Sequence, residues 1–373
     1  MRDPRLQKIA ASLVNYSVEV KEGQHVRIFG DYEAKPLLLE IVREVKKVGA
    51  HPYVEISDDE ISREVALATK EERLDMLVKW KTVQFNDFDA SIAVYADRND
   101  YADIDVPDET KLLRAKKMRP VSDIIINNKK WVLLNYPTNH LANKAKMSFE
   151  QFYDYCMDVS MADYSKMREA FEPLRQLMDK TNQVKITGPG TNLEFSLKGL
   201  GSVPCAGEAN IPDGEIYSAP VIDSVNGQIT YNTPSGYRGN MYENVCLKFE
   251  AGKIVEATCS NEGDNEKLNE IFDTDAGARF VGEFAIGVNP YITKPMGDIL
   301  YDEKIAGSIH FTPGAAYEGS ADNGNKSAVH WDLVLIQTPE FGGGEIYFDD
   351  VLIRKDGLFV LDSLKGLNPD NLK

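Results

Sequence analysis

The residues able to do chemistry gather in one stretch, Tyr301 to Ile336, which reads YDEKIAGSIHFTPGAAYEGSADNGNKSAVHWDLVLI. It carries His310 and His330, two of only five histidines, with Asp332 two positions beyond the second. Val329-His330-Trp331-Asp332-Leu333 has the composition of a strand. Side chains alternate along a strand, so His330 and Asp332 face one way while Val329, Trp331 and Leu333 face the other. An imidazole beside a carboxylate on a stiff element suits a divalent cation. The plainer reading is a hydrogen-bonded His–Asp pair at a sheet edge. Tyr317 stands between the two histidines.

Two further carboxylates belong with this set. Glu215 heads a short strand after the turn at Asn210-Ile-Pro-Asp-Gly. Glu283 lies among Val281, Phe284, Ala285 and Ile286, where an ionised side chain is costly unless partnered. Taken singly, Glu215 reads as a solvated turn residue. Glu283 reads as a glutamate on a helix surface, because 276–287 is expected to be helical. Taken together, Glu215, Glu283, His310, His330 and Asp332 offer three carboxylates and two imidazoles. That donor set suits two divalent cations sharing one carboxylate.

Two domains must position these residues. Asp3 caps a helix that has Pro4 at its first position. His25–Gly30 reads as a strand, Pro36–Val48 as a helix closed by Gly49, and Pro52–Ile56 as a second strand. This order is a βαβ unit and requires parallel pairing. Strands at 90–96 and 131–135, with helices near 59–80 and 108–118, continue the alternation. Residues 148–181 read as a helical bridge with an apolar stripe from Phe149 to Met178. From Val184 the texture changes to hairpins. One turns at Gly188-Pro189-Gly190 and another at Glu250-Ala251-Gly252, with further strands near 305–311, 329–337, 345–348 and 350–354. The expected architecture is an α/β N-terminal domain over 1–182 with a mostly parallel sheet. A β-rich α+β C-terminal domain over 183–373 follows and carries the metal site.

Composition narrows the function. The 373 residues include 42 Lys plus Arg against 59 Asp plus Glu, a formal net charge of −17. Nucleic acid and anionic membranes call for a basic face, so neither is expected as a partner. Gly30-Asp31-Tyr32 follows the first strand where a GxGxxG would stand, and no GxxxxGK[ST] occurs, which argues against a nucleotide site. His25, His51 and His140 are isolated and read as structural or surface residues. Cys156, Cys205, Cys246 and Cys259 form no CxxC pair and are expected to be reduced. The opening MRDPRLQKIAASLVNYSVEV lacks the apolar core of a secretory leader, and no window reaches the ~20 apolar residues of a membrane span. The expected location is the cytoplasm.

The chain resembles the aminopeptidase T / aminopeptidase S (PepS) family of thermophilic-type dinuclear metallopeptidases along essentially its whole length. In the first half the likeness lies in Tyr16–Gly23, Glu33–Leu37 and Gly49–Pro52. In the second it lies in Pro212–Pro220, Gly282–Gly287, Tyr301–Lys304 and Asn325–Asp332. By resemblance, Glu215, Glu283, His310, His330 and Asp332 are the metal ligands, Glu283 is the bridge, and Tyr317 is a tyrosine beside the metals. Phe311-Thr-Pro-Gly314 departs from the family's small, Leu-containing turn after the first histidine, which bears on substrate preference. The resemblance also implies a homodimer with an enclosed site.

The implied activity is release of N-terminal residues from peptides by a water activated between two divalent cations, Zn, Co, Mn or Mg. Tyr317 would donate to the tetrahedral oxyanion. Glu283 would carry the proton to the leaving amine. Two other readings remain open at this level. One is a different dinuclear hydrolase acting on amides or phosphoesters. The other is a non-catalytic, metal-stabilised dimeric binding protein.

Overall fold

The computed structural model describes residues 3–373. The chain divides into two units, Met1–Met161 with Gly207–Pro212, and Ala162–Ala206 with Asp213–Lys373.

In the first unit, Asp3 caps α1 (Pro4–Ser12) by accepting from the Arg5 amide at 2.9 Å. There follow β1 (His25–Asp31), α2 (Lys35–Val48), β2 (His51–Ser57), α3 (Asp59–Leu67), α4 (Glu71–Asp87) and β3 (Ala90–Tyr95). After these come α5 (Asp108–Asn128), β4 (Lys130–Asn135), α6 (Asn139–Lys144) and α7 (Phe149–Ser160). β1 pairs in parallel with β2 and β3, and β3 with β4. Val26, Ile28, Ile92, Val94 and Val132 are buried in this sheet. Gly49 ends α2 at φ +84°, a left-handed conformation that glycine adopts without a Cβ penalty. The single helix expected over 59–80 is two helices, α3 and α4, and the one near 108–118 runs on to Asn128.

In the second unit, α8 (Tyr164–Met178) buries Met167, Phe171, Leu174 and Met178. It is followed by β5 (Gln183–Gly188), β6 (Thr191–Ser196) and β7 (Val203–Cys205). The sequence suggests a break at 182. α8 packs on β7, so contacts place the division ahead of that helix, at 161. The chain then lends the first unit one strand, β8 (Asn210–Ile211), parallel to β4, completing the order β2-β1-β3-β4-β8.

The rest of the second unit is antiparallel. It comprises β9 (Glu215–Ser218), β10 (Asn226–Thr230), β11 (Ser235–Tyr237), β12 (Asn240–Tyr242), β13 (Cys246–Glu250) and β14 (Lys253–Thr258). Next come α9 (Asn265–Phe272), β15 (Val281–Gly287), α10 (Ile299–Asp302), β16 (Ser308–Pro313), β17 (Val334–Ile336), β18 (Glu345–Phe348), β19 (Val351–Lys355), β20 (Leu358–Phe359) and α11 (Pro369–Leu372). One sheet has the order β14-β13-β10-β6-β5-β18-β19-β20, and a second has β17-β16-β15-β9-β7. The two sheets share an aromatic core. Phe195 of β6 lies 5.0 Å from Phe284 and 5.1 Å from Phe311, ring centre to ring centre, and Phe249 of β13 lies 5.9 Å from Phe311.

Two local expectations are corrected. The helix expected over 276–287 does not form: 276–280 is a turn and 281–287 a strand with every residue buried. A short apolar run of this kind is ambiguous by periodicity alone, and pairing on both edges decided it. Val329–Leu333 is extended but, apart from one bridge between His330 and Gly314, lies outside a regular strand. Its backbone still bonds alternately to the β16 side, from Trp331 to Pro313 at 3.1 Å and from Phe311 to Leu333 at 3.1 Å. Gly314, at φ +109°, makes this possible, because a Cβ there would lie 2.0 Å from the Val329 carbonyl oxygen.

Candidate metal centre

Register on the second sheet places most of the centre. Ala285 of β15 faces His310 of β16, Gly287 faces Glu215 of β9, and Glu283 faces Thr312. Because side chains alternate, Glu283, Ala285 and Gly287 share one face of β15 with Glu215, His310 and Thr312 beside them. Phe284 and Phe311 turn to the other face and into the aromatic core. Two small residues therefore allow neighbouring chain to approach the polar face closely. A Cβ at Gly287 would lie 2.6 Å from the Ile305 carbonyl oxygen, so that position is closed to larger residues.

His330 and Asp332 come from the extended segment. Trp331, pointing the opposite way, donates to Ser235 Oγ at 2.8 Å and packs against Tyr237 and Phe272. Val329 and Leu333 are fully buried alongside it. This anchor turns His330 and Asp332 toward the sheet, with His330 Nε2 3.4 Å from Asp332 Oδ1. Thr312 Oγ1 donates to the same Asp332 oxygen at 2.7 Å.

The structure brings all five sequence-selected residues together. Glu283 Oε1 lies 3.3 Å from His310 Nε2, and its Oε2 lies 3.4 Å from His330 Nε2. Glu215 Oε2 lies 3.5 Å from His310 Nε2. Glu283, His310 and Asp332 present ligand atoms all within 4.8 Å of one another. Tyr317 is adjacent, its ring 4.9 Å from that of His330 and 5.5 Å from that of Tyr217. It is half exposed, while His310 and Glu283 are buried.

The donor set fits divalent cations, as its unused atoms show. His310 Nδ1 donates to the Glu303 carbonyl at 3.3 Å, and His330 Nδ1 donates to the Ala315 carbonyl at 2.8 Å. A carbonyl can only accept, so both rings turn Nε2 inward, where that of His310 meets Glu283 Oε1 at 3.3 Å. His330 Nε2 and Glu215 Oε2 are buried and hydrogen-bond to nothing. Buried polar atoms left unpaired on a converging face mark a position for a ligand.

Electrostatics agrees. Burial would make His310 less basic, but Glu215 and Glu283 outweigh it and raise the ring to about 10. Burial likewise opposes protonation of His330, and Glu283 with Asp332 raise it to about 9. The carboxylates thus draw positive charge to both nitrogens. Burial pushes Glu283 up, yet His310 and His330 hold it down at about 2. Glu215 goes the other way, to about 8, because burial there exceeds the help of Lys304. Burial, and then the charges of Glu283 and Asp332, push the Tyr317 phenol well above its ordinary range, so it stays a neutral donor.

Sequence reasoning passed over three neighbours. Lys304, with no exposed surface, lies 3.6 Å from Glu215 Oε1 and pairs with Glu303. Burial pushes the Glu303 carboxyl upward. Thr312 steadies Asp332. Glu303 and Lys304 sit inside a motif already noted, yet only the fold places them beside Glu215. The register mate of Glu215 is Cys205, and Cys205, Asp213 and Glu215 also gather their ligand-type atoms within 4.8 Å. Burial, then the charge of Asp213 and Glu215, keeps the Cys205 thiol well above its usual range, and Lys304 is the positive charge there. Of the remaining histidines, His25 and His51 lie ring beside ring, tilted and 5.2 Å apart, on neighbouring strands in the first unit, and His140 pairs with Asp100.

Comparison with known proteins follows the same line. The chain matches the thermophilic metalloprotease (M29) family over residues 2–345. It is 25% identical to Aminopeptidase 2 of Geobacillus stearothermophilus across 95% of each chain. It is 25% identical to Aminopeptidase PepS of Streptococcus thermophilus, covering 88% of this chain and 91% of that one. Among solved structures it resembles wild-type AmpT from Thermus thermophilus, with a TM-score of 0.78 at 21% identity over 96% of this chain and 99% of the other. It also resembles a 2,5-dihydroxypyridine dioxygenase from Pseudomonas putida KT2440, with a TM-score of 0.63 at 11% identity over 96% and 98%. The last likeness is one of fold, and one fold can host different chemistries. The site must therefore carry the functional argument.

Proposed function

The chain belongs to the thermophilic metalloprotease (M29) family and is a metallopeptidase, and from that premise we propose that it releases single residues from the free N-termini of peptides, using two divalent cations held by Glu215, Glu283, His310, His330 and Asp332. The observation that carries this reading is the placement of Glu283. Its two oxygens face two different imidazoles, one each, as a carboxylate shared between two cations requires. Zn, Co, Mn or Mg suits the mixed nitrogen and oxygen donors.

Cations bound there would supply Lewis acidity, polarising the scissile carbonyl and making water a nucleophile near neutral pH. The protein's own residues do the rest. Glu303 and Ala315 carbonyls orient the two rings. Thr312 fixes Asp332. Tyr317, neutral and on the accessible side, donates to the oxyanion as it develops. Glu283, expected from the sequence to carry the proton to the leaving amine, is held at about 2 with an imidazole at each oxygen, so its part in this reading is to hold the cations. A peptide's α-amino group satisfies carboxylate or cation charge that an acylated terminus would leave unpaired.

In this reading the enzyme works in the cytoplasm as a homodimer. Support for an assembly comes from β2 and α3, which leave Tyr53, Val54, Ile56, Ile61 and Leu67 more than a third exposed. Light scattering on dilute protein checks this, and a fully active monomer removes the partner's role. Among the described residues no helix is long and apolar enough to cross a membrane.

Hydrolysis of Leu-p-nitroanilide and of its N-acetyl form tests the reaction. A site built to pair the amine discriminates by up to about 10⁴-fold. Comparable turnover of both forms, lost on chelation, would leave a metallohydrolase that is not an aminopeptidase.

A further inference from the structure

We infer that the Lys304 ammonium is an internal cation that makes the two metal positions unequal. The position framed by Glu283, His330 and Asp332 fills first. The position framed by Glu215 and His310 fills second, and more weakly. This rests on the two-cation reading above and concerns the order of loading rather than the reaction.

Lys304 has no exposed surface, and its Nζ lies 3.6 Å from Glu215 Oε1 and against Glu303. Asp213 adds a further negative charge to the same surroundings. At this end, part of the carboxylate charge that would attract a metal ion is already answered by a fixed positive charge. Glu215 serves both sides. Its Oε1 faces Lys304, while Oε2 faces His310 and hydrogen-bonds to nothing. A metal ion at Oε2 would share one carboxylate with an ammonium that has no exposed surface. Two positive charges flanking one group in a poorly screened interior repel.

The other end has no such charge. Among the described residues, the ion-pair partners of Glu283 and Asp332 are histidines. Asp332 is steadied by a neutral hydroxyl, that of Thr312. A metal ion there meets carboxylate charge that no lysine or arginine offsets. Lys304 acts through Glu215 and is therefore a positioning residue. It holds one oxygen in place and lowers what the other can bind.

Calorimetric titration of the chelator-stripped full chain with Zn²⁺, using a competing chelator, tests this. Two steps should appear, separated by about tenfold or more in Kd. Asp332→Asn should remove the tighter step and Glu215→Gln the weaker. Lys304→Met should draw the weaker step toward the tighter by about tenfold or more, and Lys304→Gln should do the same if the Met variant does not fold. Two equal steps in the unaltered protein, loss of the tighter step in Glu215→Gln, or an unchanged gap in the neutral Lys304 variants would each overturn the inference. A single bound cation would overturn the two-cation reading itself, so the two failures are distinct.

Discussion

The two ends of the centre are built in different ways. Glu215, Glu283 and His310 stand on β9, β15 and β16, which are paired edge to edge, and all three side chains are buried. His330, Asp332 and Tyr317 stand on irregular backbone beyond Gly314, tied by alternate hydrogen bonds and partly open to solvent. The first end takes its geometry from sheet register, which cannot drift without moving every neighbour. The second takes it from one aromatic anchor and a threonine hydroxyl. A rigid, dry end suits holding charge, and an adjustable, accessible end suits admitting substrate.

Glu283 joins the ends, so its loss should have the largest effect. Glu283→Ala should lower kcat/KM on Leu-p-nitroanilide by about 10³-fold or more, exceeding the ~10²–10³-fold of one lost oxyanion donor. Steady-state kinetics with elemental analysis measures it. A loss under about tenfold would mean that each end works alone.

Tyr317→Phe tests the accessible end alone. kcat should fall by roughly 10²–10³-fold with KM little changed, because the ground-state carbonyl needs less stabilisation than the oxyanion. An unchanged kcat would make Tyr317 a packing partner of Tyr217 and His330.

Thr312→Val removes the hydroxyl link from β16 to Asp332 without changing the strand. Metal affinity should weaken by about 10–100-fold, the usual range for groups that orient a ligand. Equal affinity would mean that the Trp331 anchor alone holds Asp332.

The smallest effect should come from Asp302, beside the buried end. It accepts from the amides of Met296 at 2.5 Å and Gly297 at 3.1 Å. Burial nevertheless pushes it up to about 7, with the charges of Asp298 and Glu303 adding. A carboxyl raised in the folded state binds its proton more tightly when folded. Its stabilising contribution is complete below about pH 4 and is lost as pH rises through about 7. Denaturant unfolding of metal-free protein should show roughly 2–3 kcal/mol less stability from this group at pH 8 than at pH 5. Asp302→Asn should flatten the difference, and an equal slope in both proteins would refute it.

Much of this was legible in residue order. The βαβ start followed from apolar spacing in 36–48 and from Gly49, because helix period and a left-handed stop are local properties. The two hairpins followed from Pro189-Gly190 and Ala251-Gly252 for the same reason. Alternation put His330 and Asp332 on one side and Trp331 on the other, and that arrangement holds without a regular strand. The reading of 276–287 as helix failed throughout: 276–280 is a turn, and at 281–287 the period-two signal of Glu283, Ala285 and Gly287 against Phe284 and Ile286 was masked by a run apolar on both faces.

By itself the sequence determined the family, the α/β then β-rich order of regions along the chain, and the residue types available for a metal centre, because motifs, periodicities and side-chain chemistry are written along the chain. Only the tertiary structure decided that Glu215 lies one strand from Glu283, that Lys304 reaches Glu215, and that Thr312 meets Asp332. Those contacts depend on strand register and on backbone turns between distant segments. Register is a collective property of pairing, and no single stretch of sequence encodes it.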